Sequence, residues 1–123
     1  MADNLAKKIM IVTRKAPHGL SNAREALDAM LMGSAFTPQV SIVFMDDGVF
    51  QIKKNQDSNS IEIKSIADSF KAFSIYDIES VFVEKTALLE RHLNTEDLII
   101  AVKVLESTEL SQLMKEQDII LSF

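Results

Sequence analysis

No cysteine occurs among the 123 residues. That single absence removes disulfides, thiolate nucleophiles, persulfide carriers and cysteine-based zinc sites together. Glycine is scarce as well, with three in the chain. Neither a Gly-x-Gly-x-x-Gly sequence nor a Walker-type loop occurs, so nucleotide phosphates have no evident cradle. Basic charge is in deficit: 13 Lys and Arg face 18 Asp and Glu, a net charge of −5. Neutralising phosphates is where most affinity for nucleic acid arises, so this chain alone is not expected to grip a nucleic-acid backbone. Its adjacent basic pairs, Lys7-Lys8 and Lys53-Lys54, read as solvated surface. No window of 18 uninterrupted apolar residues exists, and Met1-Ala2-Asp3-Asn4 lacks a signal peptide's charged start and cleavage site. These absences predict a soluble cytoplasmic protein with no membrane partner.

What is present is ordinary globular material. Hydrophobic residues make up 47% and charged residues 25%. A chain of this length reads as a single domain, 1–123, burying roughly two-thirds of its unfolded surface without staples or metals. No internal repeat or low-complexity tract interrupts it.

The organising stretch is Val40-Ser41-Ile42-Val43-Phe44-Met45, apolar on both parities. Successive strand side chains point to opposite faces, so this run predicts a central strand covered on both sides. Ile9-Met10-Ile11-Val12 predicts a first strand of the same kind. Ser80 to Glu84, Leu98 to Val102 and Ile119 to Phe123 predict the third, fourth and fifth. Between the first two, Ser21 is a predicted N-cap for a helix carrying Ala23, Leu27, Met30 and Ser34 at helical spacing, with Ala26 and Gly33 beside them. Ile63, Ile66, Ala67, Phe70 and Phe73 predict a second, amphipathic helix after a polar loop at 53–60. A short helix capped by Thr86 and a last one capped by Ser107 complete the alternation. Alternating apolar strands and helices predict an α/β fold, a three-layer α/β/α arrangement on a five-stranded parallel sheet with flavodoxin-like layering.

Ligands and partners of such sheets gather at the carboxyl ends of the strands. Asp46-Asp47-Gly48 follows the central strand there. On a continuing strand the two carboxylates would face opposite sides, and Asp-Gly is ordinary turn chemistry, so a turn is preferred to a metal site. His18 sits in Ala16-Pro17-His18-Gly19 after the first strand, a loop residue suited to a turn or an interface. His92, after Glu90-Arg91, suits a helix C-terminus. Phe50 and Tyr76 each stand where an aromatic ring either folds into the core or meets another subunit. Catalysis by this chain alone would need His18 to converge with Asp46 or Asp47.

Taken in order, Ala16-Pro17-His18-Gly19, Ala23-Arg24-Glu25-Ala26-Leu27-Asp28-Ala29, Asp46-Asp47-Gly48-Val49-Phe50-Gln51, Tyr76-Asp77-Ile78-Glu79 and Asp118-Ile119-Ile120-Leu121-Ser122-Phe123 form a pattern. It resembles the TusC/DsrF branch of the DsrE/F/H-like family, from about Ile9 to Phe123. The resemblance implies the same five-stranded α/β/α fold. It also implies assembly with TusB-like and TusD-like paralogous subunits as a dimer of heterotrimers, with no cofactor. In the Tus branch such a complex relays persulfide sulfur toward 2-thiouridine at the tRNA wobble position; in the Dsr branch it serves sulfur oxidation. The sulfur rides on a cysteine of another subunit, and a thiol-free chain cannot hold it. The expectation is therefore a non-catalytic subunit, with His18, Asp47, Phe50 and Tyr76 as contact residues and no metal site. A free-standing α/β protein binding a small anion or metabolite is the alternative.

Overall fold

The computed structural model describes residues 7–15, 22–37, 39–54 and 80–123. Five parallel strands form one sheet in the order β4-β3-β2-β1-β5. They are β1 Ile9–Thr13, β2 Val40–Phe44, β3 Val81–Glu84, β4 Lys103–Leu105 and β5 Ile119–Ser122. The helices are α1 Asn22–Phe36, α2 Lys85–Glu90 and α3 Ser107–Lys115. The chain steps outward from β1 to β4 and then returns past β1 to β5. Right-handed crossovers put the two described outward helices, α1 and α2, on one face of the sheet and the returning helix, α3, on the other. The packing agrees. Ala26, Leu27 and Met30 of α1 and Ala87 and Leu88 of α2 bury against Ile11, Ile42, Phe44, Val81 and Val83. On the opposite face Leu110 of α3 meets Met10, Val12 and Val43. Both central strands are thus buried on both faces, and the α/β/α reading of the two apolar runs holds.

Gly33 lies in the buried side of α1, where a Cβ would meet Val40 Cγ2 at an ordinary 3.5 Å. Thr37 then ties the end of α1 to the start of β1: its N–H donates to the Gly33 carbonyl and its hydroxyl to the Lys7 carbonyl, each at 3.0 Å.

Several local expectations are corrected. The apolar run Leu98 to Val102 is not the fourth strand; β4 begins at Lys103. Leu98 instead makes an isolated antiparallel bridge with Lys53, and Ile99 donates to the Ile52 carbonyl at 2.8 Å. Leu98, Ile99, Ile100 and Val102 pack on the core as irregular chain. Their hydrophobicity reports burial, whereas the edge strand that follows is mostly exposed. The helix starts are offset too. Glu84 and Glu106, not Thr86 and Ser107, occupy the N-cap positions. The Glu109 carboxylate accepts the Glu106 N–H at 3.0 Å, the returning half of a capping box. Asp46–Ile52 forms a seven-residue 3-10 helix rather than a simple turn. The amphipathic stretch Ile63 to Phe73, the Ser21 cap and residues 55–60 of the polar loop lie outside the described residues. Among those described, no helix is long and apolar enough to cross a membrane.

Candidate functional site

Register places the exits of β1 and β2 side by side, because Thr13 pairs with Phe44. The chain leaving β1 as Arg14-Lys15 therefore runs beside the chain entering the 3-10 helix at Asp46. Four contacts lock the two together. The Met45 N–H donates to the Thr13 carbonyl at 3.0 Å. Arg14 Nε donates to Asp46 Oδ2 at 2.9 Å. Gln51 reaches back from the end of the 3-10 helix, and its Nε2 donates to Thr13 Oγ1 at 2.7 Å and to the Lys15 carbonyl at 2.8 Å. A carbonyl can only accept, which fixes the orientation of the Gln51 amide. Gly48 is the fourth: a Cβ there would stand 2.0 Å from the Thr13 oxygen, so only glycine allows this approach. Thr13 and Gln51 are both buried, at 0% and 3% exposure, which makes this a polar joint inside the core.

Around the joint the surface is a ring of opposed charges. Asp47, exposed on the 3-10 helix, accepts from Arg91 Nε at 3.1 Å and pairs with its Nη2 at 3.0 Å through the same oxygen. Arg91 also donates to the Ala87 carbonyl in the last turn of α2, which holds the guanidinium in place. Asp46 takes the left-handed φ of 50°, a conformation that Asp tolerates better than most residues. The two neighbouring carboxylates are thereby drawn to two different arginines. Such exposed pairs contribute at most about 1 kcal/mol each; they orient rather than stabilise. Glu84, closing β3, is pushed above the usual carboxylate range, chiefly by burial and then by the Asp46 and Glu90 carboxylates, against the Ser107 hydroxyl and Arg14. A carboxylate raised on folding costs stability as pH rises from its unfolded value through its folded one. Glu84→Gln is therefore expected to be more stable than the wild type at pH 7, with the difference vanishing in acid. Urea midpoints measured across that range check it, and a pH-independent difference refutes it.

A cleft of about 370 Å³ opens at the carboxyl ends of β1 and β5, lined by Arg14, Lys15, Asp46, Ser122 and Phe123. Of the residues expected at contacts, Asp47 is exposed and paired with Arg91. Phe50 is half-buried and packs on the core beside it. His18 and Tyr76 lie outside the described residues. His92 lies just past the Arg91 C-cap of α2, exposed and with a φ of 54°. Arg14, Gln51, Glu84 and Arg91 escaped the sequence reading. Gln51 alone left a signal there, as one polar residue inside Val49-Phe50-Gln51-Ile52. Chemically, the described site offers paired charges and fixed amides. It can hold loops in register and present a surface.

The comparisons with known proteins follow the same outline. A family model described as the DsrE/DsrF-like family matches residues 7–123. The chain is 42% identical over 110 residues to a Protein TusC homolog of Vibrio vulnificus, covering 89% of this chain and 93% of that one. It is 35% identical to the intracellular sulfur oxidation protein DsrF of Allochromatium vinosum, covering 97% of this chain and 98% of that one. Among solved structures, the ychN protein from E. coli superposes with a TM-score of 0.70 at 24% identity, over 95% of this chain and 99% of that one. That likeness speaks to the fold. With a family match across nearly its whole length and two such relatives, the chain belongs to the DsrE/DsrF-like family.

Proposed function

We propose that this chain is a non-catalytic subunit of a heteromeric sulfur-relay complex, supporting persulfide transfer on the cysteine of a partner subunit. The observation that carries the reading is a pair of facts taken together. The chain aligns with TusC and DsrF proteins over most of its length, and it has no thiol with which to carry sulfur itself. Its partners in this reading are TusB-like and TusD-like paralogues, in a dimer of heterotrimers in the cytoplasm. The destination of the sulfur is 2-thiouridine at the tRNA wobble position, with any tRNA contact made by another component, as the net charge of −5 favours. His18, Asp47, Phe50 and Tyr76 are the contact residues. The joint between β1 and the 3-10 helix supports this role, because it holds Asp47 and Phe50 on a rigid base.

Light scattering on the chain co-expressed with its neighbouring small paralogues tests the assembly. A mixed particle of about six such chains is expected for a dimer of heterotrimers; a monomer indifferent to those neighbours rejects the reading in favour of a small-ligand protein. Phe50→Ala and Tyr76→Ala are each expected to reduce co-purification about tenfold, the loss of one interface anchor. Because Phe50 also packs on the core, its variant is compared with wild type by circular dichroism first. Normal assembly of both folded variants removes them from the interface.

The DsrF relative, which aligns over 97% of this chain, supports a second reading in sulfur oxidation. The two separate on one measurement. Deleting the gene abolishes 2-thiouridine in bulk tRNA under the first, and leaves it intact while impairing growth on reduced sulfur under the second.

A further inference from the structure

The described helices cover the two faces of the sheet unequally. Among the described residues, α1 and α2 pack on one face, and the nine-residue α3 packs on the other. A helix is about 10 Å across, while five strands at about 4.8 Å spacing span about 19 Å between the outer axes. Leu110 centres α3 over β1 and β2. Phe82 of β3 and Leu105 of β4, on the same face, stay only partly buried. They form the floor, with Leu113, of a groove of about 450 Å³ whose rim carries Glu109, Gln112 and Glu116 from the flank of α3. Packed helices lie 8–10 Å apart, about two strand spacings. A second helix laid beside α3 would therefore sit over β3 and β4, where the groove is.

We propose that this groove receives an amphipathic helix of a partner subunit, one with an apolar stripe flanked by Lys or Arg. The shape calls for a helix, since the open strip is one helix wide and bordered by a helix. The charge calls for a basic flank, since among the described residues the rim carries two carboxylates and no cation; Lys103, opposite Phe82 in the ladder, shares the face but is not among the residues lining the groove. A second copy of this chain fits poorly. The exposed apolar pair Met32 and Phe36 lies on α1, whose one basic residue, Arg24, is twelve positions before Phe36. The other helix with an exposed leucine, α2, is six residues long. Neither of these described helices suits the groove, and the occupant assigned here is a heterologous one. This assignment rests on the subunit role proposed above and adds where the partner docks.

The test uses the co-expressed complex. Gln112→Lys with Glu116→Lys reverses the rim at exposed positions while sparing Glu109, which caps α3. The expected result is an unchanged thermal midpoint, at least a tenfold weaker association, and slowed amide exchange of residues 107–116 in the wild-type complex. Full association of the variant, or no protection of α3, overturns the groove and leaves the subunit role standing. A wild-type chain that binds no neighbour overturns both. Self-association of the isolated chain that the double variant abolishes overturns the heterologous occupant in favour of a second copy.

Discussion

Replacing Gly48 by alanine is expected to cost about 3 kcal/mol or more, at the upper end of what overpacking does. The reason is space, not backbone conformation. The added carbon would stand 2.0 Å from the Thr13 oxygen, 2.6 Å from its carbonyl carbon and 3.0 Å from the Arg14 nitrogen. All three are backbone atoms in or next to β1, a strand hydrogen-bonded on both sides, so none can swing aside as a side-chain tip would. Relief requires the 3-10 helix to lift from the end of β1. That breaks the Met45-to-Thr13 hydrogen bond and strains the Gln51 contacts. For a domain of this size the thermal midpoint should fall by roughly 10 °C or more. Gly33→Ala is the control, because among the described residues its Cβ meets only Val40 Cγ2, at an ordinary 3.5 Å. In the interior of α1 that change should be neutral or gain up to about 1 kcal/mol, the usual preference of a helix for alanine over glycine. Urea unfolding of both variants decides it. A Gly48→Ala chain within about 1 kcal/mol of the wild type would mean that the 3-10 helix moves freely, and the rigid base argued for Asp47 and Phe50 would go with it.

What the sequence disclosed and what it hid divide along the range of the interactions. Ile9 to Val12 and Val40 to Phe44 announce two central strands because burial on both faces leaves no room for a polar position. The same rule misplaces the fourth strand. Leu98 to Val102 is apolar because it lies on the core, yet its hydrogen bonds go to Ile52 and Lys53 in an antiparallel bridge. Hydrophobicity measures proximity to the core and is blind to where the ladder runs. β5 is a strand as its pattern predicts, yet hydrophobicity does not report its exposure. Ile119, Ile120 and Leu121 are as apolar as the central strands but lie 42–44% exposed at the sheet edge. At the candidate site, Asp46, Asp47 and Gly48 were legible as a feature because turn chemistry is local. Their partners were not. Arg91 reaches Asp47 across 44 residues, and Gln51 reaches Thr13 across 38. Only the folded sheet brings them together.

Gln51→Glu should have the second-largest effect, and one that depends on pH. The native amide nitrogen donates to both Thr13 Oγ1 and the Lys15 carbonyl inside the core. A carboxylate of the same shape has no proton to donate. It would set a negative charge against the Lys15 oxygen at about 2.8 Å, in a site where the native residue is 3% exposed. Leaving a buried acceptor unmatched costs about 1–3 kcal/mol, and burying the charge adds to that. At neutral pH the loss should reach about 3 kcal/mol or more. Burial disfavours the charged form, so the new carboxyl takes a folded-state pKa above its unfolded one. The unfolded chain then gives up its proton first, and stability relative to wild type falls as pH rises from the ordinary glutamate range through the raised value. In acid the protonated carboxyl regains a single O–H to offer Lys15, and the penalty shrinks. Gln51→Met separates the two causes. It removes the donor without adding charge, and should cost about 1–2 kcal/mol at every pH. Urea titrations of the three proteins from pH 5 to 8 provide the check. Parallel curves for Glu and Met would show that the joint tolerates charge, and that solvent reaches the Thr13–Gln51 contact on which the position of Lys15 depends.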